Sequence, residues 1–350
     1  MNMKYFLVGV IIAVLGLGIV FWNGSAQNNN TSMLQAMNGE KSNSSAEPYI
    51  EIQNPSGFVN TEKITIGENV GKKVILVDIL TYSCINCIRT FPYLNAWYDK
   101  YKDAGLEIIG IHTPEFAFEH KKENVEGAMK KFGIKFPIVL DNDYSTWRAY
   151  KNNYWPHKYL IDINGNIVYD HIGEGGYDET EKKIQELLAE RKQKLGLSEN
   201  IDTGMANPTG IQEVGPGIKS PEIYFGAQRN ESLGNGEIQA GKVQTFVAPK
   251  TVKLNTTYLV GSWMFSPEYV ETKSPNAKII FRYGAQRIFF VGSSEKENTV
   301  RILQDGKFVK EVKIQNDQLY TLMENPVAGE HTIELQIADP GLKAFTFTFG

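Results

Sequence analysis

Cysteine is scarce in this chain of 350 residues, which has only two. A secreted scaffold held by several disulfides needs more cysteines, so that class of protein is excluded. Histidine is scarce as well, with five scattered residues, and no second cysteine pair could complete a Cys₄ or Cys₂His₂ zinc site. An excess of positive charge is also absent, because the net charge is −4 and the pI is about 5.9. We therefore expect no metal and no nucleic acid, and two cysteines kept for their reactivity.

Long hydrophobic runs are also rare, and one uncharged run, residues 5–22, is long enough to span a membrane. Lys4 precedes it and the next basic residue is Lys41, so the positive-inside rule places the body outside the cytoplasm. We expect residues 1–26 to form an uncleaved single-pass anchor in a bacterial cell membrane, with a periplasmic or cell-surface body. A cleaved signal is the alternative. Residues 27–48, rich in Asn, Ser and Gln, predict a flexible tether.

The two cysteines lie close together, as Cys84-Ile85-Asn86-Cys87. The apolar run of residues 74–80 predicts a strand buried on both faces, and apolar residues then recur with helical spacing. This pattern places Cys84 at a helix N-terminus, where free N–H groups and the helix dipole favour a thiolate. Cys87 lies about one turn further along the helix, close enough to form a disulfide. We expect no cofactor other than a redox-active Cys84–Cys87 disulfide.

Two residues that flank the pair strengthen the redox interpretation. Asp78 is the single charge in the predicted strand, and a buried carboxylate there can accept and return the proton of Cys87. Pro92 lies inside the predicted helix, where proline introduces a kink. The stretch resembles the thioredoxin superfamily, whose members carry an acidic residue, a cysteine pair and a helix-kinking proline at these offsets. A structural disulfide and a metal site are the alternatives.

The predicted elements of residues 49–195 follow the thioredoxin topology, βαβα followed by a hairpin and a helix. An added N-terminal hairpin is predicted within residues 49–66. Trp155-Pro156 precedes the next hairpin, where thioredoxin-like folds carry a cis-proline that faces the cysteine pair. A cis bond there would direct the backbone of Trp155 towards Cys84, so that a client strand could pair with it. The alternative is a trans proline that begins an edge strand.

A closer resemblance rests on five segments. They are TYSCINCIRTFPYLNAWYDKY, GIHTPEFAFE, DNDYSTWRAY, YWPHKYLID and GEGGYDETE. These segments resemble, nearly word for word, the extracytoplasmic part of DipZ-type thiol–disulfide proteins, relatives of the TlpA group of membrane-bound thioredoxins. The resemblance implies that Cys84 and Cys87 are the redox pair, and that Pro156 is the cis-proline. The expected client-binding residues are Tyr82, Ser83, Glu115, Trp155 and Pro156.

The resemblance also suggests partners and a direction of exchange. DipZ proteins carry a multi-span electron-transfer domain ahead of this region, whereas one span is predicted here. We therefore expect a separate membrane protein as electron donor, protein disulfides or dithiols as clients, and a reductase. One alternative is a thiol peroxidase, for which Thr81 fits the required pattern but Val77 replaces its proline. Another is a cell-surface binding protein with a non-catalytic thioredoxin module.

The last third of the chain changes character. Residues 196–219 show no periodic pattern of apolar residues, which predicts a linker. Residues 220–350 consist of short alternating segments between turns, which predicts an all-β sandwich of the jelly-roll kind. The corresponding region of the relatives resembles carbohydrate-binding modules, so Trp263, Tyr258 or Tyr283 could bind a glycan. Aromatic residues of a sandwich lie more often in its core than on a binding platform, so packing against the redox domain or docking of a partner is the favoured interpretation.

Overall fold

The computed structural model describes residues 47–198, 200–215, 217 and 220–350. The predicted anchor and nearly all of the predicted tether lie outside these residues. Within the described part of the chain, no helix is both long and apolar enough to cross a membrane. The redox half and the β-rich half belong to one structural unit.

The redox half is built on a seven-stranded sheet. Its strands are β1 (Glu47–Pro48), β2 (Gly57–Val59), β3 (Val74–Leu80), β4 (Leu106–His112), β5 (Ile138–Leu140), β6 (His157–Ile161) and β7 (Asn166–Ile172). They lie in the order β1-β7-β6-β3-β4-β5-β2, in which only the pairs β3–β4 and β4–β5 are parallel. β3 and β4 are buried along their whole length, as their apolar runs predict. The centre of this sheet carries the cysteine pair at the end of β3.

The helices of the redox half cover this sheet. They are α1 (Ile85–Tyr101), a 3₁₀ helix (Ala117–His120), α2 (Lys122–Lys131), α3 (Ser145–Ala149) and α4 (Tyr177–Leu195). α1 begins directly after Cys84 and contains Pro92, so the predicted strand–turn–helix around the cysteine pair is confirmed. Phe91, Leu94 and Trp97 form the buried side of α1 and join the hydrophobic core.

The hairpin predicted within residues 49–66 is wrong. β1 pairs with β7 at one edge of the sheet, whereas β2 pairs with β5 at the opposite edge. The backbone of Ser56 also donates a hydrogen bond to Leu140 O at 2.8 Å. Residues 49–66 therefore contain a single strand, β2, which pairs with β5 at a sheet edge instead of forming a hairpin.

The C-terminal half is a nine-stranded antiparallel sheet. Its strands are β8 (Ile223–Tyr224), β9 (Val243–Phe246), β10 (Thr257–Phe265), β11 (Val270–Thr272), β12 (Ala277–Ser294), β13 (Asn298–Gln304), β14 (Lys307–Ile314), β15 (Gln318–Ile337) and β16 (Leu342–Phe349). β12 and β15 are much longer than the short segments predicted, and their pairing is interrupted by register shifts. The architecture is therefore a thioredoxin-like domain followed by a β-rich domain.

The aromatic residues suggested for glycan binding lie in the core of the β-rich domain. Trp263 and Tyr283 are 0% exposed and Tyr258 is 4% exposed. The indole of Trp263 donates to Val260 O at 2.9 Å, and the hydroxyl of Tyr283 donates to Gln304 Oε1 at 3.0 Å. Their burial contradicts the suggestion that these three side chains form a glycan platform, and it agrees with the core positions favoured for the aromatic residues of a sandwich.

Part of the predicted linker is attached to the redox half. Ile201 and Ala206 pack against its hydrophobic core. The backbone N–H of Ala206 donates to Glu181 Oε1 at 2.7 Å, and Lys100 donates to Gly204 O. This segment has no regular secondary structure, and these hydrogen bonds join it to α1 and α4.

The two halves also share a hydrophobic contact. Phe345 and Val291 of the β-rich domain belong to the same buried cluster as the core of the redox half. The ring of Phe345 lies 5.2 Å from that of Phe116 and 5.0 Å from that of Phe118. This contact brings the β-rich domain against the segment that follows β4, close to the loop that leads into the cysteine pair.

Candidate functional site

The two cysteines differ sharply in their surroundings. Cys84 is the N-cap residue of α1 and is partly exposed, whereas Cys87 is completely buried. Burial raises the pKa of the Cys87 thiol well above its usual range, and the neighbouring Cys84 and Asp78 raise it further. Cys84 is thus accessible to a client, while Cys87 requires a proton acceptor before it can react.

Asp78 is the buried acid beneath this pair. Its side chain is fully buried, and neither carboxyl oxygen has a hydrogen-bond partner within the described part of the chain. Burial raises the pKa of Asp78 to about 7, and the charge of Lys158 opposes this rise. A carboxyl group with a pKa near neutrality can both accept and release a proton under ordinary conditions.

Lys158 is a residue of the site that the sequence interpretation missed. It is completely buried in β6, where it is the register partner of Asp78. Its Nζ donates to Gly173 O at 3.0 Å and lies 5.8 Å from the centre of the Tyr177 ring. Burial lowers the pKa of Lys158, while the charges of Asp78, Cys87 and Glu174 raise it. The available signal was a lysine two residues after Pro156, inside a strand with an apolar centre.

Trp155 and Pro156 lie beside the accessible cysteine. Their peptide bond has the cis geometry expected from the sequence. Cys84 Sγ lies 3.9 Å from Trp155 O. The indole of Trp155 donates to Thr113 O at 3.0 Å, and its ring lies 4.3 Å from that of Trp147. The structure therefore brings the backbone of Trp155 to the sulfur of Cys84 and holds its side chain in place.

The other three predicted client-binding residues direct their side chains elsewhere. Tyr82 is 3% exposed and donates to Asp317 O at 3.2 Å, in the β-rich domain. Ser83 is 1% exposed and donates to Glu119 Oε1 at 2.7 Å. Glu115 accepts a hydrogen bond from the hydroxyl of Tyr224 at 3.0 Å. These side chains join the site to its surroundings and do not form an open surface.

His112 is a second buried ionisable group near the loop. Its ring is fully buried, lies 5.7 Å from the ring of Tyr82, and places Nε2 3.5 Å from Thr81 Oγ1. Burial lowers the pKa of His112 to about 3, so the imidazole is neutral over the ordinary pH range. The quoted segment GIHTPEFAFE contains this histidine, but its spacing alone gave no role for it.

Within the described residues, no three His, Cys, Asp or Glu side chains are grouped to hold a metal ion.

Comparison with known proteins agrees with this geometry. The Redoxin family matches residues 51–188, and the family described as "Thioredoxin like C-terminal domain" matches residues 220–350. Protein DipZ of Mycobacterium bovis is 32% identical over 302 residues, which are 86% of this chain and 42% of DipZ. The chain therefore spans less than half the length of that relative.

Two shorter relatives match the redox half. Thiol-disulfide oxidoreductase YkuV of Bacillus subtilis is 27% identical over 144 residues, 41% of this chain and 96% of YkuV. Thiol-disulfide oxidoreductase ResA of Bacillus cereus is 28% identical over 148 residues, 37% of this chain and 83% of ResA. The chain is therefore similar to Protein DipZ over most of its length and, in its redox half, to two proteins named thiol-disulfide oxidoreductases, with a Redoxin match followed by a match to the thioredoxin-like C-terminal domain.

Proposed function

We propose that this protein exchanges disulfides with protein clients outside the cytoplasm, and that it acts there as a reductase. The observation that supports this most directly is the partly exposed Cys84, whose sulfur lies 3.9 Å from Trp155 O. Cys87 is buried behind it, and Asp78 lies below with no hydrogen-bond partner among the described residues. This arrangement separates an entry nucleophile, a protected second thiol and a proton acceptor.

The exchange takes place in two displacement steps. The thiolate of Cys84 attacks one sulfur of the client disulfide, so the client S–S bond breaks, a mixed disulfide forms, and the second client sulfur leaves as a thiolate. Asp78 then accepts the proton of Cys87, whose sulfur attacks Cys84 and releases the client. The bond between Cys84 and the client breaks, the first client sulfur also leaves as a thiolate, and formation of the new Cys84–Cys87 disulfide has supplied the two electrons. The two client thiolates take up one proton from Asp78 and one from solvent. Because the chain has only two cysteines, thiols of another molecule must restore the pair.

The backbone of Trp155 is the proposed contact for an extended client segment. Tyr82, Ser83 and Glu115 would act indirectly, by holding the loop and the interface behind the site.

The proposed location is the membrane surface outside the cytoplasm, with residues 5–22 as the anchor and Lys4 on the cytoplasmic side. This location rests on the sequence alone. A membrane-impermeant maleimide should then label Cys84 in intact cells; labelling only after lysis would contradict the proposed orientation.

The activity is tested with three purified forms of the protein and an insulin-type disulfide. The parent should reduce it, Cys84→Ser should not, and Cys87→Ser should accumulate a mixed disulfide because the second displacement is lost. Cys87→Ser is the matched control, since it keeps the first step. Reduction by Cys84→Ser would refute the proposal, and consumption of peroxide without disulfide reduction would favour a thiol peroxidase.

The direction of exchange requires a separate measurement. Equilibration with glutathione should give a reduction potential closer to that of thioredoxin, about −270 mV, than to that of the oxidant DsbA, about −120 mV. A potential near the second value would assign the protein to oxidation of its clients.

For Asp78, the rate at which the mixed disulfide resolves should fall in Asp78→Asn around neutral pH. An unchanged rate would reject the role of Asp78 in proton transfer.

A further inference from the structure

Glu119, in the 3₁₀ helix, contacts two separate segments of the chain. Its side chain is fully buried. Oε1 accepts hydrogen bonds from the backbone N–H of Ser83 at 3.2 Å and from its hydroxyl at 2.7 Å. Oε2 accepts from the N–H groups of Glu115 at 2.6 Å and Phe116 at 3.0 Å. These four groups are all donors, and donors favour the ionised carboxylate. Burial raises the pKa of Glu119 to about 7, and hydrogen bonds from Thr81, Ser83 and Phe116 oppose this rise, so the carboxyl group is mostly ionised at pH 8.

One of these segments is the surface on which the β-rich domain docks. Glu115 Oε1 accepts hydrogen bonds from Tyr224 Oη at 3.0 Å and from Arg229 Nη1 at 2.8 Å. The N–H of Ala117 donates to Glu268 Oε2 at 2.9 Å. Together with the ring contact of Phe345 described above, these contacts fix the segment directly after β4 against the β-rich domain.

The other segment is the loop that carries the accessible cysteine, because Ser83 directly precedes Cys84. The segment after β4 also contacts Trp155, another neighbour of this sulfur. Thr113 O accepts the indole hydrogen of Trp155, whose carbonyl oxygen lies 3.9 Å from Cys84 Sγ. Residues 113–119 therefore contact two neighbours of the accessible sulfur, Trp155 through Thr113 and Ser83 through Glu119.

We propose that Glu119 is a positioning residue, through which docking of the β-rich domain sets the geometry of the loop that carries Cys84. The two oxygens belong to one rigid carboxylate, so a shift of Glu115 or Phe116 is transmitted to Ser83. Capping of the 3₁₀ helix explains only the bond from Phe116. The other oxygen of Glu119 accepts two hydrogen bonds from Ser83, in the loop that carries Cys84. A cap that stabilised only the 3₁₀ helix would not require these two bonds. The proposal rests on the proposed exchange at Cys84 for its functional meaning.

The test follows the reactivity of Cys84 without any client. All proteins carry Cys87→Ser, so that one thiol remains, and the full chain is used. The rate constant of Cys84 alkylation by iodoacetamide is measured at about pH 8. Ultraviolet absorbance of the thiolate is titrated in parallel. Glu119→Gln keeps the shape of the side chain but offers one acceptor oxygen, so it can serve only one of the two segments.

The decisive variant is Arg229→Ala, which lies in the β-rich domain and does not touch the redox loop. Both single variants should change the alkylation rate or the titration midpoint of Cys84, by about threefold or more. The double variant should change them no more than the larger single effect, because both act through one carboxylate. Arg301→Ala is the matched control, since Arg301 pairs with Glu311 on the exposed side of the same domain, and it should have no effect.

Two outcomes would overturn the proposal. One is an unchanged Cys84 in Arg229→Ala; the other is a double variant whose effect is the sum of the single effects. Circular dichroism and thermal unfolding verify folding, and if Arg229→Ala does not fold, Tyr224→Phe replaces it because it removes a single hydroxyl donor to Glu115. The parent's insulin assay separates the two proposals. The variants could show non-additive effects on Cys84 alkylation while the parent fails to reduce insulin. That result would reject the proposed function and retain the role of Glu119.

Discussion

Asp78 and Lys158 face each other across neighbouring strands, as register partners of β3 and β6. Both are fully buried: burial raises the pKa of Asp78, the ammonium of Lys158 lowers it, and the net pKa is about 7. Lys158 also donates to Gly173 O, whereas the oxygens of Asp78 have no hydrogen-bond partner in the described residues. The pair therefore keeps a titrating carboxyl group next to Cys87, and several expectations depend on it.

Replacing Lys158 should raise the pKa of Asp78 further. In Lys158→Met the ammonium that opposes the effect of burial is lost. Because Asp78 must be ionised to accept the proton of Cys87, the pH at which resolution of the mixed disulfide is half-maximal should move upward. Stopped-flow measurements of that step across pH provide the test. Lys135→Met is the control, since the side chain of Lys135 is 69% exposed. A midpoint shared by all three proteins would contradict the expected coupling.

Asp78→Asn should change how stability depends on pH. The pKa of Asp78 is raised from 3.8 to about 7, so the native state binds the extra proton within that interval. The contribution of Asp78 to stability therefore falls as pH rises from about 4 to about 7. The variant lacks this decrease in stability with rising pH. The free energy of unfolding of the variant minus that of the parent should therefore increase by roughly 1.4 kcal/mol per pH unit at most. Urea denaturation across the interval tests this; a difference independent of pH would argue against it.

His112 should contribute with the opposite sign. Burial lowers its pKa from 6.5 to about 3, so the unfolded state binds more protons between these values. The contribution of His112 to stability is complete above pH 6.5 and is lost as pH falls. His112→Gln should remove this loss, amounting to about 2 kcal/mol at about pH 5. Urea denaturation near pH 5 and near pH 7 measures it. A variant that loses as much stability on acidification as the parent would be inconsistent with a buried neutral imidazole.

The contact between the two halves should contribute strongly to stability. Phe345 is 3% exposed and lies against Phe116 and Phe118. Truncation in Phe345→Ala should lower the free energy of unfolding by about 3–5 kcal/mol, because it leaves a cavity in the shared core. Denaturant unfolding followed by fluorescence and circular dichroism measures this loss. Phe308→Ala, at a side chain that is 53% exposed in the same domain, should change little. Equal effects of the two truncations would mean that the contact is weak.

The sequence by itself determined the local geometry of the redox pair. Apolar residues form a continuous run over residues 74–80 and then recur with helical spacing up to residue 101. Cys84 lies where the strand pattern ends and the helix pattern begins. Strand, turn and helix follow each other directly there, so short-range periodicity is sufficient to place Cys84 at the N-cap and Cys87 one turn further. The parallel core of the sheet was predictable for the same reason.

Only the tertiary structure decided which distant groups meet around that pair. Lys158 reaches Asp78 through the register of β3 and β6, Glu119 reaches Ser83 from a different element, and Tyr82 contacts Asp317 across 235 residues of sequence. Periodicity determines which side chains share a face of a strand or helix. Which faces come together depends on strand register and domain packing, and these are set by the hydrophobic and polar contacts of the whole chain.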